Sequence, residues 1–307
     1  MSKIAFLFSG QGSQYPGMGQ ELYGEFSEVR KIYDEASSVF GFDAAETSFH
    51  GEAEQIARTQ ISQPLIYTLS VAVFSAIRGK IGGEYAAAGH SLGEYAALCC
   101  TGCYSVRQGM EMIKVRSEAM RQCAEKKGGS MAAVIGIPPE VIAEVCRNID
   151  GYVLPVNFNS AAQTVVAGED SAVQSACEAL ASKGAKTIKL AVSSAFHSEF
   201  MSEASEILHD YLKNLSFGQP EVPFYSNLTG KKEMGIPDFA EYFKQHLVSP
   251  VLFTSQLAAM QKDGYDTFVE IGPGRILSGL VKKTLKDVSV YNIEDKKSLE
   301  KALTALA

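Results

Sequence analysis

The chain has 307 residues, 46% of them hydrophobic and 21% charged, with a formal net charge of −7. This length and composition can bury a sizeable core, which argues against disorder and suits one large α/β domain with an insert, or two modest domains. The acidic balance argues against nucleic acid or an anionic membrane as the main partner, although a local basic patch can still dock something acidic.

"KIAFLFSG" at the start reads as a buried strand closed by a glycine turn. The apolar run is too short for a signal-peptide core, and no later run approaches the roughly 18 apolar residues of a membrane span. The expected location is the cytoplasm, with no membrane partner. From Gln20 to Phe40, apolar residues recur at helical spacing and predict one long helix. "SQPLIYTLSVAVFSAI" reads as a core helix opened by Ser62, with Pro64 in its first turn. "YAAAGHS" is a short strand and "LGEYAALCC" the helix that leaves it.

The next segment alternates differently. "SMAAVIGI" predicts a strand, "PPEVIAEVCRN" a helix, "YVLPVNFN" and "QTVVAG" two strands joined by a tight link, "DSAVQSACEALASKG" a helix capped by aspartate, and "AKTIKLAV" a strand. The order β-α-β-β-α-β is that of a ferredoxin-like unit. Residues 128–195 are therefore expected to form a small ferredoxin-like subdomain, inserted into a large α/β catalytic domain of residues 1–127 and 196–307. A helix from about Ser202 to Leu215, a strand around "VPFYSN", a helix near Phe239 to Leu247 and a strand "TFVEIG" complete the larger part.

Six cysteines stand at 99, 100, 103, 123, 146 and 177. Cys100 and Cys103 form a CxxC, but no second pair or histidine pair stands at zinc-site spacing, so buried reduced thiols are expected and no metal site.

Gly89-His90-Ser91-Leu92-Gly93 matches G-x-S-x-G, the strand-to-helix turn that projects a nucleophilic serine above a sheet. With an apolar strand before it and a helical pattern after it, the turn points to an α/β-hydrolase-like parallel sheet. The helix N-terminus behind Ser91 offers backbone N–H groups to an oxyanion. His90 is adjacent but points elsewhere at such a turn, so it is expected to stiffen the elbow rather than act as base. Of His50, His197, His209 and His246, His197 is best placed, because it follows a strand at an edge where α/β sheets place ligands. The other three are not excluded by sequence logic alone.

Several motifs then agree in order: "GQGSQ" at 10–14, "GHSLGEY" at 89–95, "KVRSEAM" at 114–120, "PVNFNS" at 155–160, "AFHS" at 195–198 and "EIGPG" at 270–274. Together they resemble the malonyl-CoA:acyl carrier protein transacylases of fatty acid synthesis and the related acyltransferase domains of polyketide synthases. The resemblance spans essentially the whole chain. It implies Ser91 as nucleophile, His197 as base, and an oxyanion hole from the backbone amides of Gln11 and Leu92. It also implies that a backbone carbonyl in "QHLVSPV", not a carboxylate, orients the base. Glutamine is common at the position aligned with His246, so the chain departs from the family there, and His246 is a site candidate through its backbone.

Arg116 falls within the apolar stripe of "SVRQGMEMIKVRSEAMRQCA", with Met112, Val115, Ala119 and Met120. A guanidinium facing the core needs an anionic partner or several acceptors. An internal salt bridge is one solution; the family pattern gives the other, an arginine that holds the malonyl carboxylate. Phe196, before the proposed base, resembles the malonyl-type sequence and would crowd an α-methyl branch. Arg116, Phe196, Met120 and His246 are thus the candidate substrate-binding residues.

The expected activity is ping-pong malonyl transfer from a coenzyme A thioester to the phosphopantetheine thiol of an acyl carrier protein, with no metal or redox cofactor. A monomer is expected, with Lys282, Lys283 and Lys286 as candidate carrier-docking residues. The alternatives are a discrete acyltransferase serving a polyketide synthase, a serine thioesterase or hydrolase, and a catalytically silent carrier-binding module. The hydrolase reading is disfavoured because no histidine follows His246.

Overall fold

Strands hidden on both faces need no polar alternation, and the pentapeptides IAFLF and TFVEI are buried along their whole length. The computed structural model describes residues 3–192 and 194–306. Its strands are β1 (Ile4–Phe8), β2 (Tyr85–Gly89), β3 (Ser130–Ile135), β4 (Val153–Ser160), β5 (Gln163–Gly168), β6 (Lys186–Lys189), β7 (Phe224–Tyr225), β8 (Lys232–Glu233), β9 (Thr267–Ile271) and β10 (Ser289–Ile293). The larger sheet has the order β10-β9-β1-β2-β7-β8 and is parallel except at β8. Phe8 pairs with both Gly89 and Ile271, so β1, β2 and β9 end at one edge. The loops that follow them converge there, at the carboxyl ends where open α/β sheets place ligands.

The smaller sheet is antiparallel in the order β4-β5-β3-β6, and its chain order is strand, helix, two strands, helix, strand. Alternation along β3 separates its two faces. Ala132 and Val134 pack under the helices Pro139–Arg147 and Asp170–Ser182, with Ile142 and Leu180. Met131 and Ala133 point the other way and join the main core. An isolated bridge between Asn157 and Val251 ties this sheet to the larger part.

Local details differ from the sequence expectations. The long helix from Gln20 divides into Gln20–Glu25 and Ser27–Phe40, because Phe26 is extended at φ −109° and ψ 123°. The core helix begins at Thr59, three residues before Ser62, and carries Pro64 in its interior. That helix, Thr59–Ile77, is long and apolar enough by composition to cross a membrane, contrary to the reading of the chain. However, 83% of its most apolar window is buried in the protein. Asp170 is the first residue of its helix rather than the cap; Glu169 occupies the cap without a side-chain bond. The last strand of the small sheet stops at Lys189, leaving Leu190 to Val192 as cavity wall. The helix Phe253–Lys262, strand β10 and the helix Lys296–Leu306 had no distinct sequence signal.

Candidate active site

β2 ends at Gly89 and the helix Gly93–Cys100 begins four residues later. Between them Ser91 sits at φ 52°, a left-handed conformation that costs a non-glycine residue roughly 1–2 kcal/mol. Packing enforces the turn. A Cβ on Gly89 would lie 2.1 Å from the carbonyl carbon of Gly93, and one on Gly93 would lie 1.9 Å from the carbonyl oxygen of Phe8. Asn227 clamps the same turn: its Oδ1 accepts from the Ser91 N–H at 2.7 Å, and its Nδ2 donates to the Gly89 carbonyl at 2.6 Å. Glu94, fully buried, in turn accepts from the Asn227 N–H at 2.6 Å.

Ser91 Oγ lies 2.6 Å from His197 Nε2. His197 Nδ1 faces two backbone carbonyls, His246 at 3.2 Å and Ser249 at 3.1 Å. Carbonyl oxygens only accept, so the ring proton belongs on Nδ1 and the Nε2 lone pair faces the hydroxyl. That is the tautomer a general base requires. Burial pushes the imidazole down to about 3, helped by the Arg116 charge and opposed by the two carbonyls. His197 also has positive φ, 60°, which no local sequence signal announced.

Arg116 is 1% exposed, on the helix Val106–Lys127. Its Nη2 donates to Ser91 Oγ at 3.5 Å, and its guanidinium stacks 5.1 Å from the Tyr95 ring centre. Nε and Nη1 are buried without any acceptor. Among the described residues no carboxylate pairs with it, so the internal salt bridge weighed from sequence is not formed. Gln63 Oε1 and Asn157 Oδ1 are likewise buried and unpartnered. The backbone N–H groups of Gln11 and Leu92 have no acceptor among the described residues, and both residues line the same cavity as Ser91.

These groups open onto a cavity of about 470 Å³ between the edge of the larger sheet and the inner face of the smaller one. Gln11, Ser91, Leu92, Arg116, Met120, Phe196 and His197 all line it. His246 does not; it reaches the site through its carbonyl, while its ring is buried behind His197. His90 Nε2 lies 2.7 Å from Asn159 Oδ1, so this ring braces the elbow against the small sheet. His50 is exposed at the end of the helix Ala44–His50, and His209 lies 3.9 Å from Asp210, both away from the cavity. Sequence reasoning missed Asn227, Glu94, Gln63, Asn159 and Ser249. All five stood inside quoted stretches, and Ser249 lies in the "QHLVSPV" segment expected to supply the orienting carbonyl, but no local signal singled out the individual residues.

All six cysteines are free. Burial pushes the Cys100 thiol well above its ordinary value and Cys103 up to about 11, which leaves the CxxC unreactive. Among the described residues no cluster of three metal-ligating side chains occurs.

A strained serine at a strand-to-helix elbow, paired with an imidazole and flanked by free amides, is the apparatus of acyl transfer. The chain belongs to the acyl transferase domain family, whose profile matches residues 5–302. It is 36% identical over 310 residues to the malonyl CoA-acyl carrier protein transacylase of Bacillus subtilis, covering 100% of this chain and 98% of that one. The crystal structure of malonyl CoA-acyl carrier protein transacylase from Clostridium perfringens superposes with a TM-score of 0.94 at 36% identity, covering 99% of this chain and 97% of the other. A malonyl-transacylase solved in complex with its type II polyketide synthase acyl-carrier protein superposes with a TM-score of 0.93 at 35% identity, covering 99% and 100%.

Proposed function

We propose that the protein transfers a malonyl group from malonyl-CoA to the phosphopantetheine thiol of an acyl carrier protein. The observation that carries this reading is Arg116: a buried guanidinium with two unused donors, 3.5 Å from Ser91 Oγ, and no acid to neutralise it among the described residues. A buried unpaired charge is costly, and a planar fork suits a free carboxylate held bidentately. The malonyl group supplies that carboxylate at the far end of its acyl chain.

In this reading His197 Nε2 takes the Ser91 proton as Oγ attacks the thioester carbonyl. The amides of Gln11 and Leu92 receive the oxyanion. The carbon–sulfur bond then breaks, and the sulfur of coenzyme A leaves with the proton carried by His197. A malonyl ester remains on Ser91. The carrier's thiol next gives its proton to His197 and attacks that ester, and Ser91 regains its proton. The malonyl carboxylate also offsets the Arg116 charge that depresses His197, so the correct substrate makes the base stronger. Phe196 and Met120 bound the acyl group. Serine, imidazole and backbone amides account for every step, so no metal or redox cofactor enters.

Residues 1–127 and 196–307 are read as an α/β-hydrolase-like catalytic domain and 128–195 as a ferredoxin-like insert, supported by the two strand orders. A cytoplasmic monomer is the accompanying reading. The carrier arm enters the cavity, whose wall includes Ile276 at the start of the helix Ile276–Thr284, and Lys282 and Lys283 are exposed in that helix's last turn. A polyketide carrier is the second reading, favoured by the likeness to the malonyl-transacylase solved with such a partner.

Intact-protein mass spectrometry after incubation with malonyl-, methylmalonyl- and acetyl-CoA tests the reading directly. One malonyl group should appear on Ser91 and disappear on addition of holo carrier protein. A chain that acquires no acyl group, or prefers acetyl, is not a malonyl transferase.

A further inference from the structure

His197 has no carboxylate behind it. Its orientation depends on where the end of the helix Phe239–Val248 places the carbonyls of His246 and Ser249. The His246 ring is 1% exposed, packs edge-on against Tyr95 at 5.7 Å and His197 at 5.7 Å, and has no hydrogen-bond partner on either nitrogen. The polar atom within reach is Glu94 Oε1, 3.6 Å from Nε2, a few tenths of an ångström beyond a formed hydrogen bond.

Glu94 belongs to the nucleophile's side of the site. It lies in the first turn of the elbow helix, holds Asn227 by its backbone N–H and accepts from the Tyr242 hydroxyl at 2.5 Å. Asn227 holds the Ser91 N–H. Hydrogen bonds run from Ser91 to Asn227 and on to Glu94, and from the His246 carbonyl through His197 back to Ser91 Oγ; the 3.6 Å approach of Glu94 to the His246 ring is the one step between the two without a formed hydrogen bond. Burial favours the uncharged forms of both partners, raising Glu94 to about 8 and lowering His246, so the link needs no net charge in the core.

We infer that His246 is a positioning residue: its imidazole, lodged against Glu94, ties the carbonyls that orient His197 to the elbow that carries Ser91. The inference rests on the Ser91–His197 reading above. A glutamine in place of His246 would retain an amide N–H to offer to that carboxyl, whereas leucine or phenylalanine would offer none. The polar link, rather than the aromatic ring, is therefore the functional part.

The test compares wild type, His246→Gln and His246→Leu in single-turnover acylation of Ser91 by malonyl-CoA, read by intact mass across malonyl-CoA concentration. His246→Gln should stay within about 3-fold of the wild-type limiting rate. His246→Leu should lose about 10- to 100-fold in that rate, as expected for a reacting group displaced by a fraction of an ångström to 1 Å. Half-saturation should not move, because His246 does not line the cavity. The nitrogen-detected Nδ1 proton signal of His197 in the resting protein should shift in His246→Leu and not in His246→Gln. Should His246→Leu fail to fold, His246→Phe removes the same nitrogens and keeps a ring. Equal rates in all variants overturn the inference, as do equal losses in the Gln and apolar variants or an active apolar variant beside a slow Gln variant. Wild type that takes up no malonyl group would instead remove the underlying functional reading.

Discussion

Replacing Arg116 by alanine separates binding of a carboxylate from the chemistry at the thioester. The unused Nε and Nη1 donors can make two charge-assisted hydrogen bonds to one carboxylate. At about 1.5–3 kcal/mol each, the pair supplies roughly 3–6 kcal/mol, or about 10²- to 10⁴-fold in kcat/KM for malonyl-CoA. Acetyl-CoA has no group for the fork to hold. Loss of the Arg116 charge also relieves part of the depression of His197, so acetyl transfer should be unchanged or faster. Arg116→Lys, which keeps the charge without the fork, should fall between. The assay is the acylation rate of Ser91 from each thioester, with thermal melts to confirm folding. Equal losses on malonyl- and acetyl-CoA would make Arg116 structural and refute the argument from its unpaired donors.

Three further outcomes are expected. Ser91→Ala and Ser91→Gly should both lose the covalent adduct, but glycine should be about 1 kcal/mol more stable in urea denaturation, because only it occupies φ 52° without strain; the reverse order would mean the elbow is unstrained. Gly93→Ala should cost about 3 kcal/mol or prevent folding, since its Cβ would sit 1.9 Å from the Phe8 carbonyl oxygen; a wild-type melting temperature would contradict the packing described. For pH, His90, His197 and His246 are held below their ordinary 6.5. Only the unfolded chain protonates them below about pH 6.5, so their contribution is complete above that value and lost on acidification. Glu94, raised from 4.5 to about 8, and Glu270, also raised by burial, act oppositely and remove stability as pH rises above 4.5. Three imidazoles outweigh two carboxyls, so the melting temperature should climb from pH 4.5 to 6.5 and then level or decline towards 8; a fall across the first interval would sink the assignment of neutral buried imidazoles.

Local patterns explain what could be read without coordinates. The elbow was legible because an apolar strand, two glycines and a helical repeat lie within sixteen consecutive residues, 85–100. Arg116 was legible as core-facing because helical spacing alone sets which face a residue occupies. The division of the long helix at Phe26 was not, since the apolar repeat continues across the break and one residue's dihedral angles end the first helix.

The sequence by itself determined the two kinds of sheet, the serine elbow, the buried arginine and, through six motifs in order, the family resemblance. The resemblance implied His197 and a backbone carbonyl behind it, and the tertiary structure supplied the geometry: His197 meets Ser91, 106 residues away, and two carbonyls rather than one face its Nδ1. It also decided that Arg116 has no internal partner, that Asn227 clamps the elbow from 136 residues downstream, and that the inner face of the small sheet closes the cavity. These are meetings between distant segments. Periodicity fixes which way a side chain faces, but the group that faces it is set by how the sheets and helices pack.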